Sequence, residues 1–283
     1  MSQLLSETVE ALLVERDLRQ MARLRAVLQP GYLLRAAQLL DSAQRILIGT
    51  GFPVGDTFET DGPLGAIALY EALQTLGKAP VIACANPLAD ALDADYRVLR
   101  ITAFDVEQGR RDAARDLAAG NYDVVMSIER PGLADDGHYY NMRGEDISPR
   151  CGVFDFHLLQ ADCPTIGVGD GGNEIGMGKI AEAVAALDIR GAATTCDELL
   201  VADVSNWGAY GLIAVLGELV QQPLLRGVRH RETLAYLSAR GSVDGVTREN
   251  TLTEDGLAIE AGEALLWRLA LLCQSRLTGV THT

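Results

Sequence analysis

The 283-residue sequence predicts an α/β fold built on a parallel sheet. Two observations carry that prediction. Short continuous runs of Val, Ile and Leu alternate with segments of helical periodicity, and runs apolar on both faces belong to strands covered on both sides. Six such runs, at 45–49, 81–84, 97–101, 123–128, 165–169 and 199–202, are each closed by glycine or polar turn residues. Linked by right-handed crossovers, they give a three-layer, Rossmann-like arrangement with a mostly parallel sheet of about six strands.

Ahead of the first run, residues 1–44 form a helical lead-in. Apolar positions recur at helical spacing from Leu4 to Leu40, interrupted at Pro30-Gly31, so two or three helices are expected there, serving as packing material. Between the strands, helices are expected over 63–76, 105–119, 152–161 and 175–187. The stretch 221–258, punctuated by Pro223, Gly227, Gly241, Gly245 and Gly256, is looser, and a last helix is expected from about 254 to 278. The chain reads as one α/β domain: lead-in 1–44, sheet core with its loops 45–220, C-terminal extension 221–283.

Composition removes several classes of function. Net charge is −15 with no basic cluster, so nucleic acid and polyphosphate would meet a repulsive field. The five cysteines, at 84, 151, 163, 196 and 273, are odd in number and include no C-x-x-C pair, which argues for reduced thiols over a disulfide framework or zinc site. No membrane partner is expected, because no window approaches the roughly eighteen apolar residues of a spanning helix. The opening MSQLLSETVEALL has no basic stretch leading into an apolar core, giving a cytoplasmic expectation. No motif speaks to oligomeric state.

Ligands of such sheets lie outside the carboxyl ends of the strands, so chemistry is sought in the loops there. The first, IGTGFPVGDTFETDGPLG at 48–65, offers the strand end Thr50 and Gly51 and the pair Glu59 and Asp61. Carboxylates beside the helix begun at Pro63 are stabilised by its dipole, which is also their purely structural explanation. The fourth, 129–149, is about twenty residues long where two to six suffice, and it carries Asn141 and Arg143. Its Ser148-Pro149 is a helix-start signal.

The fifth, PTIGVGDGGNEIGMGKI at 164–180, holds one G-x-G-x-x-G in Gly167, Gly169 and Gly172, a weak match to a dinucleotide fingerprint. Asp170 and Glu174 would repel a pyrophosphate there, whereas a divalent cation or an amine would remove the conflict. Asp170, Asn173 and Glu174 are oxygen donors suited to Mg²⁺ or Mn²⁺, with turn and cap chemistry as the alternative. In the sixth, ADVSNWGAYG at 202–211, Ser205 or Asn206 can cap the following helix or present a hydroxyl and an amide to the same pocket. His138 and His157 read as surface or packed residues.

Taken in order, IGTGFP with ETDGP, ERPG with YYNMRG and DIS, GVGDGGNEIGMG, and VSNWGAYG resemble the C-terminal cyclase-like domain of the D-glutamate cyclase family over about residues 46–215. GSVDGVT at 241–247 is a further match. The resemblance implies a lyase that converts D-glutamate to 5-oxo-D-proline with loss of water, stimulated by Mg²⁺ or Mn²⁺. Fuller members of the family carry a hydro-lyase-like domain ahead of this one, where about forty helical residues stand here.

Set against that reaction, Glu174 or Glu59 is the candidate base for the α-amine, and Asp61 and Asp170 are the candidate metal ligands. Arg143 is the partner for the α-carboxylate, because its fork matches a carboxylate bidentately. Asn141, Asn173, Ser205, Asn206 and the Thr50–Gly51 turn are candidate contacts to the remaining polar atoms of a small amino acid or carboxylate. The alternatives are a nucleotide- or phosphate-binding enzyme and a non-catalytic amino-acid sensor.

Overall fold

Continuous Val/Ile/Leu runs become strands where both faces can be buried, and the computed structural model, which describes residues 2–277, has a strand at all six, Val98–Arg100 being a half-exposed edge strand. They are β1 (Arg45–Thr50), β2 (Ala79–Cys84), β3 (Val98–Arg100), β4 (Val124–Ile128), β5 (Thr165–Gly169) and β6 (Glu198–Val201). All pairings in this sheet are parallel, in the order β3-β2-β1-β4-β5-β6. Ile48 of β1 stands opposite Ile82 of β2 on one side and Met126 of β4 on the other. Strand order reverses between β1 and β4, and there the connections leave in opposite directions and open a crevice.

The lead-in supplies α1 (Gln3–Leu13), α2 (Met21–Val27) and α3 (Tyr32–Ser42). Then follow α4 (Pro63–Thr75), α5 (Leu88–Leu92), α6 (Val106–Gly120), α7 (Asp155–Leu159), α8 (Ala181–Val184), α9 (Ser205–Leu219), α10 (His230–Ser238) and α11 (Ile259–Leu277). Helix α9 is apolar all round and buried from Ser205 to Glu218, which marks it as a core helix. It packs against α1, α3, α4 and α11 on one face of the sheet, while α6 and α7 pack together on the other.

Two expected helices are shorter than the sequence pattern suggests. The segment expected at 152–161 becomes helical only at Asp155. Ser148 turns its hydroxyl to the backbone N–H of Tyr139 instead of capping that helix. The segment expected at 175–187 is one 3₁₀ turn, Met177–Ile180, followed by α8. Gly176 enters it at φ 105°, and Gly178 lies so close to the Ala193 carbonyl that a Cβ would overlap it. The last helix starts at Ile259 rather than near 254, because Thr253–Glu254 and Leu257–Ala258 pair as a two-residue hairpin. Its expected end at 278 lies outside the described residues.

Helices α4 and α9 begin at the ends of β1 and β6 and exchange caps. The carboxylate of Asp61, just before α4, accepts from the N–H groups of Ser205 (2.9 Å) and Asn206 (2.7 Å) at the start of α9. The Asn206 amide oxygen accepts in return from Gly62 (2.9 Å) and Gly65 (2.7 Å) at the start of α4. A local cap by Ser205 or Asn206 on its own helix is therefore not what forms. Gly65 permits the crossing, since a Cβ there would lie 2.9 Å from Asn206 Cα. The Asn206 Nδ2 donates to Glu254 at 2.9 Å, joining the hairpin to the pair.

Replacing Asn206 by Ala takes the side-chain acceptor from the Gly65 N–H, one of two acceptors from the Gly62 N–H, which keeps Asp61, and one of two donors from Glu254, which keeps Trp207. The expected loss is about 2–4 kcal/mol, read from urea unfolding; a change within about 0.5 kcal/mol would show that the exchanged caps carry no stability.

Candidate active site

Above the crevice at the β1/β4 switch lies a cavity of about 430 Å³. Its floor is acidic. Glu59 comes from the loop after β1, Glu129 is the first residue after β4, Asp170 and Glu174 come from the loop after β5, and Asp255 from the turn of the 253–258 hairpin. Asp61, 1% exposed, sits behind them. Backbone conformation helps aim two of these groups: Glu129 and Asp255 are held in the left-handed region, φ 44° and 53°. Each such residue costs on the order of 1–2 kcal/mol, a strain that persists only where the surroundings enforce it.

The rim is richer in arginine, with Glu145 among its residues. Arg143, Arg150 and Arg248 line the mouth beside Asn141, Met142 and Val246. Arg143 donates to the Val246 carbonyl (3.1 Å) and Arg248 to Glu145 (2.9 Å), so the 129–149 loop and the 241–248 loop are laced across the opening. The long loop is ordered because it owns a small core: Tyr139 and Ile147 are buried with Phe52, Cys151, Val153 and Phe156. Tyr139 also donates from its hydroxyl to Asp155 at 2.6 Å.

The candidates named from sequence separate into three groups. Glu59, Asp170, Glu174, Asn141, Arg143 and Asn173 all line the cavity. Asp61, Ser205 and Asn206 lie beneath it, where Ser205 donates to Glu129 at 2.6 Å and Asn206 is spent on the exchanged caps. Thr50 and Gly51 stand aside: Thr50 is buried with its carbonyl taken by Arg130, and Gly51 lines a neighbouring narrow cleft.

The two candidate bases differ in their bonding. Glu174 receives three backbone N–H groups, from Asp170 (3.2 Å), Gly171 (2.6 Å) and Gly172 (2.7 Å), and so organises its own loop. No hydrogen bond to the Glu59 carboxylate is found among the described residues, and burial, followed by Asp255 and Asp61, pushes its pKa well above the usual range. Glu129 is raised by burial, then by Glu174 and Asp61. Asp170 is raised by burial even though Arg19 opposes it. Asp61 is pushed up to about 8 by burial and by Asp255, despite the helix-start amides it accepts. Desolvation of this many carboxyls outweighs the hydrogen bonds offered to them.

Several members were not singled out from sequence. Glu129, Asp255, Arg150 and Arg248 are among them, and so is Arg19 from the lead-in, which proves to be more than packing material. Its guanidinium donates to Asp170 Oδ2 at 2.6 Å, to the carbonyls of Asp170 (3.0 Å) and Asp203 (3.1 Å), and to Asp255. Glu129 alone had a signal, its place directly after a strand. Arg19 and Asp255 had none.

Asp61, Glu129 and Asp170 each present a carboxylate oxygen within 4.8 Å of the other two, and all three are buried. Hard oxygen donors converging in a site short of positive charge fit Mg²⁺ or Mn²⁺. Glu129 thus joins Asp61 and Asp170 as a third oxygen donor that could hold such an ion.

A family model described as "D-glutamate cyclase-like, C-terminal" matches residues 9–270. Over 211 residues the chain is 36% identical to "D-glutamate cyclase, mitochondrial" of Homo sapiens, covering 65% of this chain and 34% of that protein. The chain therefore spans about a third of the length of that curated relative. A solved exopolyphosphatase-related protein from Bacteroides fragilis aligns with a TM-score of 0.43 at 9% identity, over 87% of this chain and 57% of the other. None of the described helices is long and apolar enough to cross a membrane.

A carboxyl whose pKa is raised on folding stabilises the fold fully only below its unfolded value, and that stability is lost as pH rises through the folded value. For Asp61 the window runs from the ordinary 3.8 to about 8. Glu254, raised by burial to about 7, acts in the same direction. The melting temperature of the protein in EDTA is expected to fall steadily between about pH 5 and pH 8.5, and Mn²⁺ is expected to offset the fall. A metal-free melting temperature that is flat or rises over this range would contradict the picture of a floor with more buried carboxyls than Arg19 alone balances.

Proposed function

The chain belongs to the D-glutamate cyclase-like family, and on that premise we propose that it is a lyase that closes D-glutamate to 5-oxo-D-proline with release of one water. The observation that carries this reading is the uneven charge within one cavity of about 430 Å³, with an excess of carboxylates over Arg19 below and of arginines over Glu145 at the mouth. An amino dicarboxylate matches that arrangement, with its amine toward the floor and its α-carboxylate toward the rim.

Arg143 supplies the fork that receives the α-carboxylate, with Arg248 and Arg150 adding positive potential beside it. The α-ammonium, directed at the floor, gives up a proton to Glu59, the buried carboxylate with no competing hydrogen bond and a raised pKa. The freed amine then attacks the γ-carboxyl carbon, the N–C bond forms and a C–O bond breaks, and the departing oxygen leaves as water with the proton held by Glu59 and a second proton given up by the nitrogen, which resets Glu59 as a carboxylate. A divalent cation held by Asp61, Glu129 and Asp170 would polarise that carboxyl group and ease the departure of its oxygen. Asn141 and Asn173, both lining the cavity, are placed to hold the chain of the substrate folded, and ring closure gains several kcal/mol from such positioning. Glu174 serves as the loop organiser beneath them.

An NMR time course with D-glutamate and Mn²⁺ is expected to show 5-oxoproline, with L-glutamate and EDTA controls slower. Glu59→Gln is expected to lower kcat by about 10²–10⁴ with little change in KM. Arg143→Ala is expected to raise KM about tenfold or more. Glu174→Gln is expected to appear first as a lower melting temperature. No product from D-glutamate under any condition would remove it as the substrate, and full turnover by Glu59→Gln would remove Glu59 as the base.

A further inference from the structure

Six carboxylates meet at the floor of the cavity, enough oxygen donors for two divalent cations, as in carboxylate-rich two-metal sites. We infer that Arg19 is a built-in cation that takes the Asp170–Asp255 side of this floor, so that the floor admits one divalent cation, at Asp61, Glu129 and Asp170, and excludes a second. The inference rests on the divalent-cation part of the proposed function.

The position of the guanidinium argues for this. Its Nη2 bridges Asp170 Oδ2 and Asp255 Oδ2, two oxygens that a second ion would need, and leaves Asp170 Oδ1 free of Arg19. Both partners are nearly inaccessible, with side chains 4% and 8% exposed, so the bridge stands in a desolvated place where a charge must be matched. A cation is thus already bound there, and it belongs to the chain.

The chain also adopts unusual backbone to deliver it. Asp17, Arg19 and Gln20 all lie in the left-handed region, φ 52°, 54° and 62°, which side chains other than glycine rarely occupy. Asp203, fully buried beside the floor, fastens this segment by accepting the N–H groups of Arg16 and Leu18, each at 2.8 Å. The Asp203 N–H donates to the Leu13 carbonyl at 2.8 Å, anchoring the same turn from its other end. A tether between the lead-in and the sheet needs none of this aim, whereas a fixed positive charge on Asp170 and Asp255 needs all of it.

The test is the Mn²⁺ stoichiometry of the full chain, measured by equilibrium dialysis with elemental analysis and by EPR. One Mn²⁺ per chain is expected for the wild type and for Arg19→Lys, which keeps the charge. Two are expected for Arg19→Met, with the signal of an exchange-coupled pair. If Arg19→Met does not fold, Arg19→Gln, whose amide nitrogen stands at the chain position of the Arg19 Nε that donates to the Asp170 carbonyl, gives the same reading. A neutral variant that still takes one ion, or a wild type that takes two, overturns the inference. A wild type that takes none defeats the metal assignment and this inference with it. One ion in the wild type and two in the variant, without 5-oxoproline, uphold the inference while the substrate assignment falls.

Discussion

The exchange of caps between Asp61 and Asn206 is the interaction on which the rest of the site depends. Two helices rise from strand ends that lie on opposite sides of the switch point, and each has its first N–H groups satisfied by a side chain of the other. This fixes the loop after β1 against the loop after β6. It also solves a problem of charge. A carboxylate as deeply buried as Asp61 would be expensive alone, but at the start of α9 it meets two amide donors and the positive end of a 15-residue helix dipole. The same residue thereby accepts at the start of α9 and also lies with a carboxylate oxygen within 4.8 Å of one from Glu129 and one from Asp170.

Much of the sheet was legible because its physics is local. A strand buried on both faces must be apolar along its length, and the loops that approach a ligand closely must be rich in glycine. That is why β1, β4, β5 and β6, and with them Glu59, Asp61, Asp170 and Glu174, stand out from sequence. Helix boundaries were less legible where packing overrode periodicity, as at Gly178, where the backbone of 193–194 comes too close for any side chain. The caps at Ser205 and Asn206 were misread for a similar reason. A good capping residue announces a helix start nearby, and says nothing of a partner 144 positions away.

Residues delivered from afar left no trace. Arg19 lies in a segment whose apolar spacing describes only how it packs, and Asp255 sits in a turn that reads as an ordinary Asp-Gly pair. Their meeting is a property of the folded chain. It makes the helical lead-in part of the cavity floor, since the positive charge set against Asp170 and Asp255 comes from a residue preceding the first strand. The rim is legible only in part for the same reason, with Arg143 in a conspicuous long loop and Arg248 in a stretch that looks merely loose.

The hairpin at 253–258 joins these two regions through neighbouring residues. Glu254 faces inward, accepting from Trp207 Nε1 and Asn206 Nδ2 at 2.9 Å each, while Asp255 at the tip turns to Arg19. Tips of surface hairpins are ordinarily where a chain absorbs insertions and deletions without harm. Here one added or lost residue would exchange which carboxylate faces the helices and which faces the guanidinium, because successive strand side chains point to opposite sides. Drift in length, usually cheap at such a place, is closed to this turn.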